Sequence, residues 1–272
     1  MTGSTDWAGE PYQDLQVRRL DEAIAVLTLD LPDRRNMMSE PMTASWGRAM
    51  TALAADPDLR AVVVTGTPPA FCSGGDTSWI GAESHLGIEG LRDRMARFYR
   101  VWMAITDLRV PTVAAIDGPA IGAGLALAMA CDIRYVADDA ALAAPFTRLG
   151  MHPGMLTTWS LTRASSLAVA RDLLLTGRTV RGEEAVRLGL ASRALPTGEV
   201  LDAALEAARA IAAAAPMATR LTKTALAGDG PVSYASALQW EALAQAVTLA
   251  SADLQEGLAA QRERRPPRFT GR

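Results

Sequence analysis

The chain has 272 residues, 49% of them hydrophobic, and a formal net charge of −3 at neutral pH. That length suits one large domain or a core with an appendage, and the near-neutral charge without an extended basic run argues against nucleic-acid binding. Two cysteines imply no disulfide framework, and the longest apolar run, residues 120–131, is too short to span a bilayer. Because the first 14 residues also lack the apolar core of a signal peptide, we expect a cytoplasmic protein without a membrane partner.

The first 196 residues alternate strand-like and helical patterns, after a lead-in at residues 1–11 that we expect to be disordered. Short aliphatic runs predict strands at 15–20, 23–29, 60–65, 113–116, 133–136, 141–144 and 191–195. Apolar residues at helical spacing predict helices at 39–55, 88–108, 122–131, 166–175 and 182–188. The first two strands should form a hairpin, and the helix at 88–108 either belongs to the core or forms one wall of a pocket.

Beyond Pro196 the composition becomes alanine-rich and no strand pattern returns. Helices are predicted at 199–214, 234–250 and 253–264, with Pro216 as a break between the first two. We therefore divide the chain into a core of strand–turn–helix units at 1–196 and a helical region at 197–272.

Two buried strands run into glycine-rich turns. The strand at 60–65 leads to Ala70-Phe-Cys-Ser-Gly-Gly-Asp76, and the strand at 113–116 leads to Gly118-Pro-Ala-Ile-Gly-Ala-Gly124 and a helix. Either turn alone also fits close packing of small residues. Together they can aim two backbone N–H groups at one oxygen, which the enolate or tetrahedral oxyanion of a thioester requires.

These two motifs resemble those of the enoyl-CoA hydratase/isomerase, or crotonase, superfamily. More matching segments follow in the family's order: Cys131-Asp-Ile-Arg134, Leu149-Gly-Met-His-Pro-Gly154, Leu174-Leu-Thr-Gly177, Ala185-Val-Arg-Leu-Gly-Leu190 and Arg265-Pro-Pro-Arg-Phe269. The resemblance implies an α/β fold, a spiral of ββα units holding the CoA site and the oxyanion hole. It also implies that the C-terminal helices assemble homotrimers, commonly paired into hexamers.

The resemblance further implies an acyl-CoA ligand and places its binding residues. The thioester carbonyl would accept hydrogen bonds from the N–H groups of Gly75 and Ala123. The CoA moiety would lie against the segment formed by Cys72, Ser73, Gly74, Gly75 and Asp76. Arg34 and Arg35 match basic positions that contact the CoA phosphates in the family. Arg265 and Phe269 match positions in the C-terminal tail that cover the nucleotide of a neighbouring subunit. No tightly bound cofactor and no metal is implied.

The chain departs from the family at the positions that carry catalytic carboxylates. Hydratases of the family place glutamates where this chain has Ala126 and Phe146, and isomerase-like relatives place an aspartate where it has Gly154. None of these three residues can titrate, so the ordinary hydratase mechanism does not carry over. The motifs for binding acyl-CoA and for stabilising its enolate are still present in the sequence.

Other residues offer a proton in place of the carboxylates. His152 lies in the Met-His-Pro-Gly loop and is one candidate, although a loop histidine that only donates a hydrogen bond to a carbonyl is the favoured interpretation. Glu83 and His85 follow the first glycine-rich turn, and Cys72 is better explained as a small buried thiol. Three interpretations stay open: an enzyme with altered hydratase or isomerase chemistry, a catalytically silent acyl-CoA-binding protein, and a CoA-dependent decarboxylase or thioesterase.

Overall fold

A six-stranded sheet forms the centre of the protein in the computed structural model, which describes residues 11–76, 78, 86–227 and 233–272. Its strands lie in the order β1, β2, β3, β4, β6, β9, with β1 antiparallel to β2 and every other pair parallel. Their bounds are Leu15–Leu20, Ile24–Leu29, Ala61–Gly66, Thr112–Ile116, Ile133–Ala137 and Arg193–Leu195. Both β3 and β4 are buried along their whole length, which is why each reads as an unbroken apolar run.

A second, smaller sheet lies beside the first. It contains β5 (Ala120–Ile121), β7 (Ala141–Ala143) and β8 (Thr179–Arg181), with β5 parallel and β8 antiparallel to β7. The sequence predicts β7 from an apolar run, but it predicts neither β5, which has only two residues, nor β8, in which two of the three residues are polar.

The described residues before β9 form six α-helices, which are interspersed with the strands along the chain. Their bounds are α1 Glu40–Ala55, α2 Gly87–Met103, α3 Ala123–Ala130, α4 Thr157–Ala164, α5 Leu167–Thr176 and α6 Gly182–Arg187. The Ser39 side chain caps α1 by accepting from the Met42 N–H at 3.1 Å, as predicted. The predicted helix at 88–108 is α2 followed by a 3₁₀ turn at Ala104–Asp107, and α4 was not predicted.

Two stacked tryptophans fix α2 against α1. The rings of Trp46 and Trp102 lie 4.9 Å apart between centroids, and both side chains are fully buried. The Trp102 indole N–H donates to the Thr43 hydroxyl at 3.1 Å. This contact fixes α2 on α1, and α2 also packs against α3.

Four helices follow β9: α7 Val200–Ala212, α8 Pro216–Leu226, α9 Tyr234–Leu249 and α10 Ala252–Glu263. Helices are the only regular elements among the described residues beyond β9, which agrees with the predicted pattern. Pro216, predicted as a break, also begins α8. The first of the four, α7, packs on β3 and β4 and buries Ala204 and Ala208 completely, so it covers the central sheet. The division at residue 196 stays a prediction, and α9 buries none of its residues.

Candidate active site

The two glycine-rich turns meet at the carboxyl ends of β3 and β4. The Cys72 N–H donates to the Pro119 carbonyl at 3.1 Å, and the Ile121 N–H donates to the Cys72 carbonyl at 2.9 Å. Because β3 and β4 are parallel neighbours, both turns leave the same edge of the sheet. The sequence pattern therefore correctly predicts that these two segments come together.

Two glycines in these turns are required by packing. A Cβ atom on Gly124 would lie 2.8 Å from the Cys72 side chain, so the start of α3 rests directly on the first turn. Gly74 has a φ of +100°, and a Cβ there would lie 2.8 Å from the Ile121 carbonyl oxygen and 3.3 Å from the Ala123 nitrogen. The small residues thus let the turns approach, and the approach places Gly74 beside the Ala123 N–H.

The N–H groups of Gly75 and Ala123 have no hydrogen-bond acceptor in the described part of the chain. Ala123 is the first residue of α3, where an N–H has no partner within the helix. The α3 N-terminus adds its partial positive charge at that point. Nothing lies within 4 Å of a Cβ built on Gly75, so open space faces this residue. Both N–H groups are therefore available to donate a hydrogen bond to a bound ligand.

Gly75 and Ala123 line one cavity of about 110 Å³. Its other walls are mainly large apolar side chains from α2 and from residues 146–155: Met95, Phe98, Phe146, Leu149, Met151 and Met155. Ser73 and Tyr99 supply the only side-chain polar groups among the described residues that line it. The Ser73 hydroxyl already donates to the Arg34 carbonyl at 3.3 Å.

The structure separates the three positions at which the family resemblance predicts carboxylates. Phe146 and Gly154 line the cavity, and the Phe146 ring packs near Gly122. Ala126 is buried on α3 and instead lines a neighbouring cavity of about 490 Å³, which shares Met155 with the first. The two cavities therefore lie on either side of Met155.

His152 is exposed and does not line the cavity that holds Gly75 and Ala123. The chain turns there so that its neighbours Met151 and Gly154 face inward instead. The structure thus does not bring His152 to the predicted site. Glu83 and His85, the other predicted proton carriers, lie outside the described residues.

Tyr99 is the residue of this cavity that the sequence analysis missed. A Cβ atom built on Gly154 would overlap the Tyr99 hydroxyl oxygen and lie 2.9 Å from ring carbon Cζ. Tyr99 is half-buried, and burial raises the pKa of its hydroxyl above the ordinary value of 10.0. The sequence did offer one signal: Tyr99 follows Met95 by four residues, so the two side chains lie on the same face of a helix.

Comparison with known proteins assigns the fold and the motifs to one family. The family model described as enoyl-CoA hydratase/isomerase matches residues 19–272. The chain belongs to this family. It is 37% identical over 246 residues to a Thermus thermophilus protein assigned as an enoyl-CoA hydratase, covering 90% of this chain and 97% of that one.

Two further relatives support the same assignment. Methylglutaconyl-CoA hydratase of Rattus norvegicus mitochondria is 35% identical over 266 residues, covering 95% of this chain and 84% of that protein. The crystal structure of an enoyl-CoA hydratase from Bacillus anthracis superposes with a TM-score of 0.88 at 29% identity, covering 96% of this chain and all of that one. The predicted α/β crotonase fold is therefore confirmed.

The positions predicted to meet CoA near the first turn lie together at the surface. Arg34 and Arg35 are exposed, and the Arg35 carbonyl accepts from the Ser73 N–H at 3.0 Å. Arg34 lies 3.6 Å from the Asp76 carboxylate. Hydrogen bonds from Ser78, followed by the charge of Arg34, lower the pKa of Asp76 below its ordinary value.

The two predicted tail residues are held within the same subunit. Arg265 donates to both oxygens of Glu256, at 2.6 and 2.9 Å, and also to Glu263. The Phe269 ring packs beside Gly257 of α10, while its carbonyl accepts from Arg60 at 2.9 Å. Neither residue lines the cavity that holds Gly75 and Ala123.

Neither cysteine is placed for nucleophilic chemistry. Cys72 and Cys131 are buried, and burial raises the pKa of each thiol to about 12. Both are therefore protonated at neutral pH. Across the described residues, no cluster of metal-binding side chains and no helix long and apolar enough to cross a membrane occurs.

Proposed function

We propose that this protein binds a short acyl-CoA thioester and stabilises its enolate with the N–H groups of Gly75 and Ala123. The observation that carries the proposal is a pair of N–H groups that have no acceptor among the described residues and belong to residues lining one apolar cavity. A thioester oxygen placed between them would gain two hydrogen bonds as negative charge develops on it. In a cavity that excludes water, such donors contribute more than they do in solution.

The cavity suits a small acyl group. At about 110 Å³ it is bounded by the rings of Phe98 and Phe146 and by flexible methionines, which fit irregular apolar shapes. A short chain would fill it without displacing these walls. Longer chains would have to pass Met155 into the neighbouring cavity of about 490 Å³.

The CoA moiety would extend from this cavity across Ser73 to Asp76 toward Arg34 and Arg35. Both arginines are exposed, and their backbone is held against Ser73. The ion pair of Arg34 with Asp76, at 3.6 Å, leaves the guanidinium able to turn to a phosphate. In an assembled trimer, Arg265 and Phe269 of one subunit would approach the CoA of the next.

Hydration should be slow in this protein because the acid and base that it requires are absent. Ala126 and Phe146 occupy the glutamate positions and cannot move a proton. The site instead suits reactions limited by forming the enolate, which include isomerisation and, as an alternative, decarboxylation or thioester cleavage. A silent acyl-CoA-binding protein would share the binding and show no turnover.

The Ala123→Pro variant tests the proposal. Proline removes the N–H of Ala123, the first residue of α3, where that N–H makes no bond within the helix, and circular dichroism checks that the variant folds. We expect the exchange of butyryl-CoA α-hydrogens for deuterium in D₂O, a direct measure of enolate formation, to slow by about 10²–10³-fold.

Leu167→Pro is the matched control. Leu167 is the first residue of α5 and half-exposed, so the same substitution there leaves the cavity unchanged. Exchange should stay at the wild-type rate in this variant. Wild-type protein that binds butyryl-CoA without exchange would favour the silent alternative, and equal exchange by a folded Ala123→Pro protein would contradict the role of this N–H.

A further inference from the structure

Asn36 is a fully buried polar residue beside the glycine-rich turn at residues 70–76. Its side-chain oxygen accepts from the Leu31 N–H at 2.9 Å. Its side-chain nitrogen donates to the carbonyls of Thr67 and Ala70, at 2.7 Å each. The amide therefore joins the loop at residues 31–38 to both ends of the segment that leads from β3 into the turn.

The backbone around Asn36 is held in a conformation that its residues do not prefer. Arg35 and Asn36 both have a φ of +52°, in the left-handed region that asparagine enters more readily than arginine does. Two consecutive residues stay in this region only where surrounding contacts hold them. Gly66, the last residue of β3, leaves room for one such contact, because a Cβ there would lie 2.8 Å from the Asn36 amide nitrogen.

This loop fixes the peptide group that carries the Gly75 N–H. The Met38 N–H donates to the Gly74 carbonyl at 2.8 Å, and Met38 pairs with Gly75 as an isolated parallel β-bridge. The Gly74 carbonyl and the Gly75 N–H belong to one planar trans peptide, in which the two groups point in opposite directions. With its carbonyl turned to Met38, this peptide points the Gly75 N–H away from the loop.

We propose that Asn36 is a positioning residue for the Gly75 N–H, acting by fixing the loop at 31–38 against the turn at 70–76. Asn36 does not line the cavity that holds Gly75 and Ala123, so it acts through the backbone. The inference rests on the proposed function, because the direction of this N–H affects turnover only if the N–H binds the enolate oxygen.

A displaced donor should affect the transition state more than the bound thioester. Full negative charge reaches the oxygen only as the enolate forms, so a shift of the Gly75 N–H weakens its hydrogen bond mainly at that stage. Loss of the Asn36 bonds should therefore lower the exchange rate at saturating butyryl-CoA more than the affinity. A residue that serves stability alone would change neither in a folded variant.

Asn36→Asp tests this role with almost no change in size. It keeps the acceptor for the Leu31 N–H but turns an oxygen, in place of a donor, toward the Thr67 and Ala70 carbonyls. At saturating butyryl-CoA, we expect the exchange of α-hydrogens for deuterium to slow by about 10²-fold. Calorimetry should give an affinity close to that of the wild type.

Infrared spectroscopy of bound butyryl-CoA, labelled with ¹³C at the thioester carbonyl, reports directly on the hydrogen bonds to that oxygen. Binding to wild-type protein should lower the carbonyl stretching frequency, and binding to Asn36→Asp should lower it less. Asn36→Ser serves as a second variant that introduces no buried charge. Its shorter side chain cannot bond to both carbonyls, so it should change the rate and the frequency in the same direction.

Thr112→Val is the matched control. Thr112 is also fully buried, and its hydroxyl donates to the Asp132 carboxylate at 2.9 Å. It begins β4, at the end of the strand opposite to the glycine-rich turns. Valine there removes a buried hydrogen bond, so it should lower the thermal stability while the exchange rate and the carbonyl frequency stay at their wild-type values.

The outcomes separate the two proposals. Wild-type protein that does not bind butyryl-CoA, or binds it without exchange, would contradict the proposed function and remove the basis of this inference. If the wild type exchanges and a folded Asn36→Asp or Asn36→Ser protein matches it in rate and carbonyl frequency, the positioning role of Asn36 is overturned while the proposed function stands. A loss in Thr112→Val as large as in the Asn36 variants would overturn it as well.

Discussion

Three residues without a titratable group, Ala126, Phe146 and Gly154, define the chemistry available to this site. Phe146 and Gly154 face the cavity directly, while Ala126 lies one turn after Ala123 on α3. Side chains on a helix tilt toward its N-terminus, so a longer side chain at position 126 would point back toward the Ala123 N–H. Introducing carboxyl groups at these positions can therefore test whether their absence limits the rate of hydration.

We expect Ala126→Glu combined with Phe146→Glu to raise the hydration of crotonyl-CoA by about 10²-fold over a slow wild-type rate. Each single variant should recover little, because the acid and base act together. The decay of conjugated-thioester absorbance measures the rate, with circular dichroism as a check on folding, since buried carboxyls destabilise an apolar wall. Rapid hydration by the unmodified protein would show that other residues supply both groups.

The sequence predicts the backbone donors better than the side chains of the cavity wall. Gly75 and Ala123 are predictable because each is fixed by a local motif at the end of a buried strand, although their role remains a proposal. Tyr99 was not predictable because its relevance depends on a long-range contact with Gly154 that no local pattern encodes. His152, which the sequence places in the right loop, is turned outward by the path of that loop.

Among the elements, burial decided which ones the sequence could predict. The strands β3 and β4 are buried throughout and apolar apart from Thr65 and Thr112, and α1 begins after a capping serine, so each has a clear local signal. The strands β5 and β8 owe their existence to pairing with β7, and the short helix α4 follows two residues with positive φ, Met155 and Leu156. Such elements are set by tertiary contacts rather than by periodicity.

The C-terminal tail provides a prediction about a single element. Glu256 on α10 accepts from Arg265 and from the Arg268 N–H, and these bonds lower its pKa from 4.5 to about 2. A lowered pKa stabilises the folded state above pH 4.5, and this contribution is lost as the pH falls toward about 2. The tail should therefore detach in acid before the core unfolds.

Hydrogen–deuterium exchange of residues 265–272 measures this detachment. We expect Glu256→Gln to increase exchange there at neutral pH, as acid does in the wild type. Glu263→Gln is the matched control, because Glu263 contacts Arg265 alone and is more exposed, so its effect should be smaller. Equal protection of the tail in Glu256→Gln and wild-type protein would contradict the role of this ion pair.

At the scale of the whole molecule, α9 presents an apolar surface that the described part of the subunit leaves exposed. Leu243 and Val247 lie four residues apart on it and are 63% and 44% exposed. Exposed apolar surface of this kind typically marks a contact between proteins. We propose that it contributes to a homotrimer, or to a pair of trimers, of this chain.

Leu243→Glu combined with Val247→Glu should convert the assembly to monomers in sedimentation velocity, because a buried interface does not tolerate unpaired charge. Leu175→Glu is the control: it places a glutamate on a leucine of α5 that is 72% exposed and lies outside α9. A wild-type protein that sediments as a monomer would exclude the trimer. Truncation at residue 196 is a poorer test, since it would remove α7 from the central sheet.

The most direct test of the account is a crystal structure with butyryl-CoA. The account predicts the thioester oxygen at about 2.7–3.1 Å from both the Gly75 and the Ala123 nitrogen. It also predicts the acyl chain beside Phe146, in the cavity that Tyr99 lines. A thioester oxygen bound away from these two nitrogens, with the acyl chain outside this cavity, would contradict it.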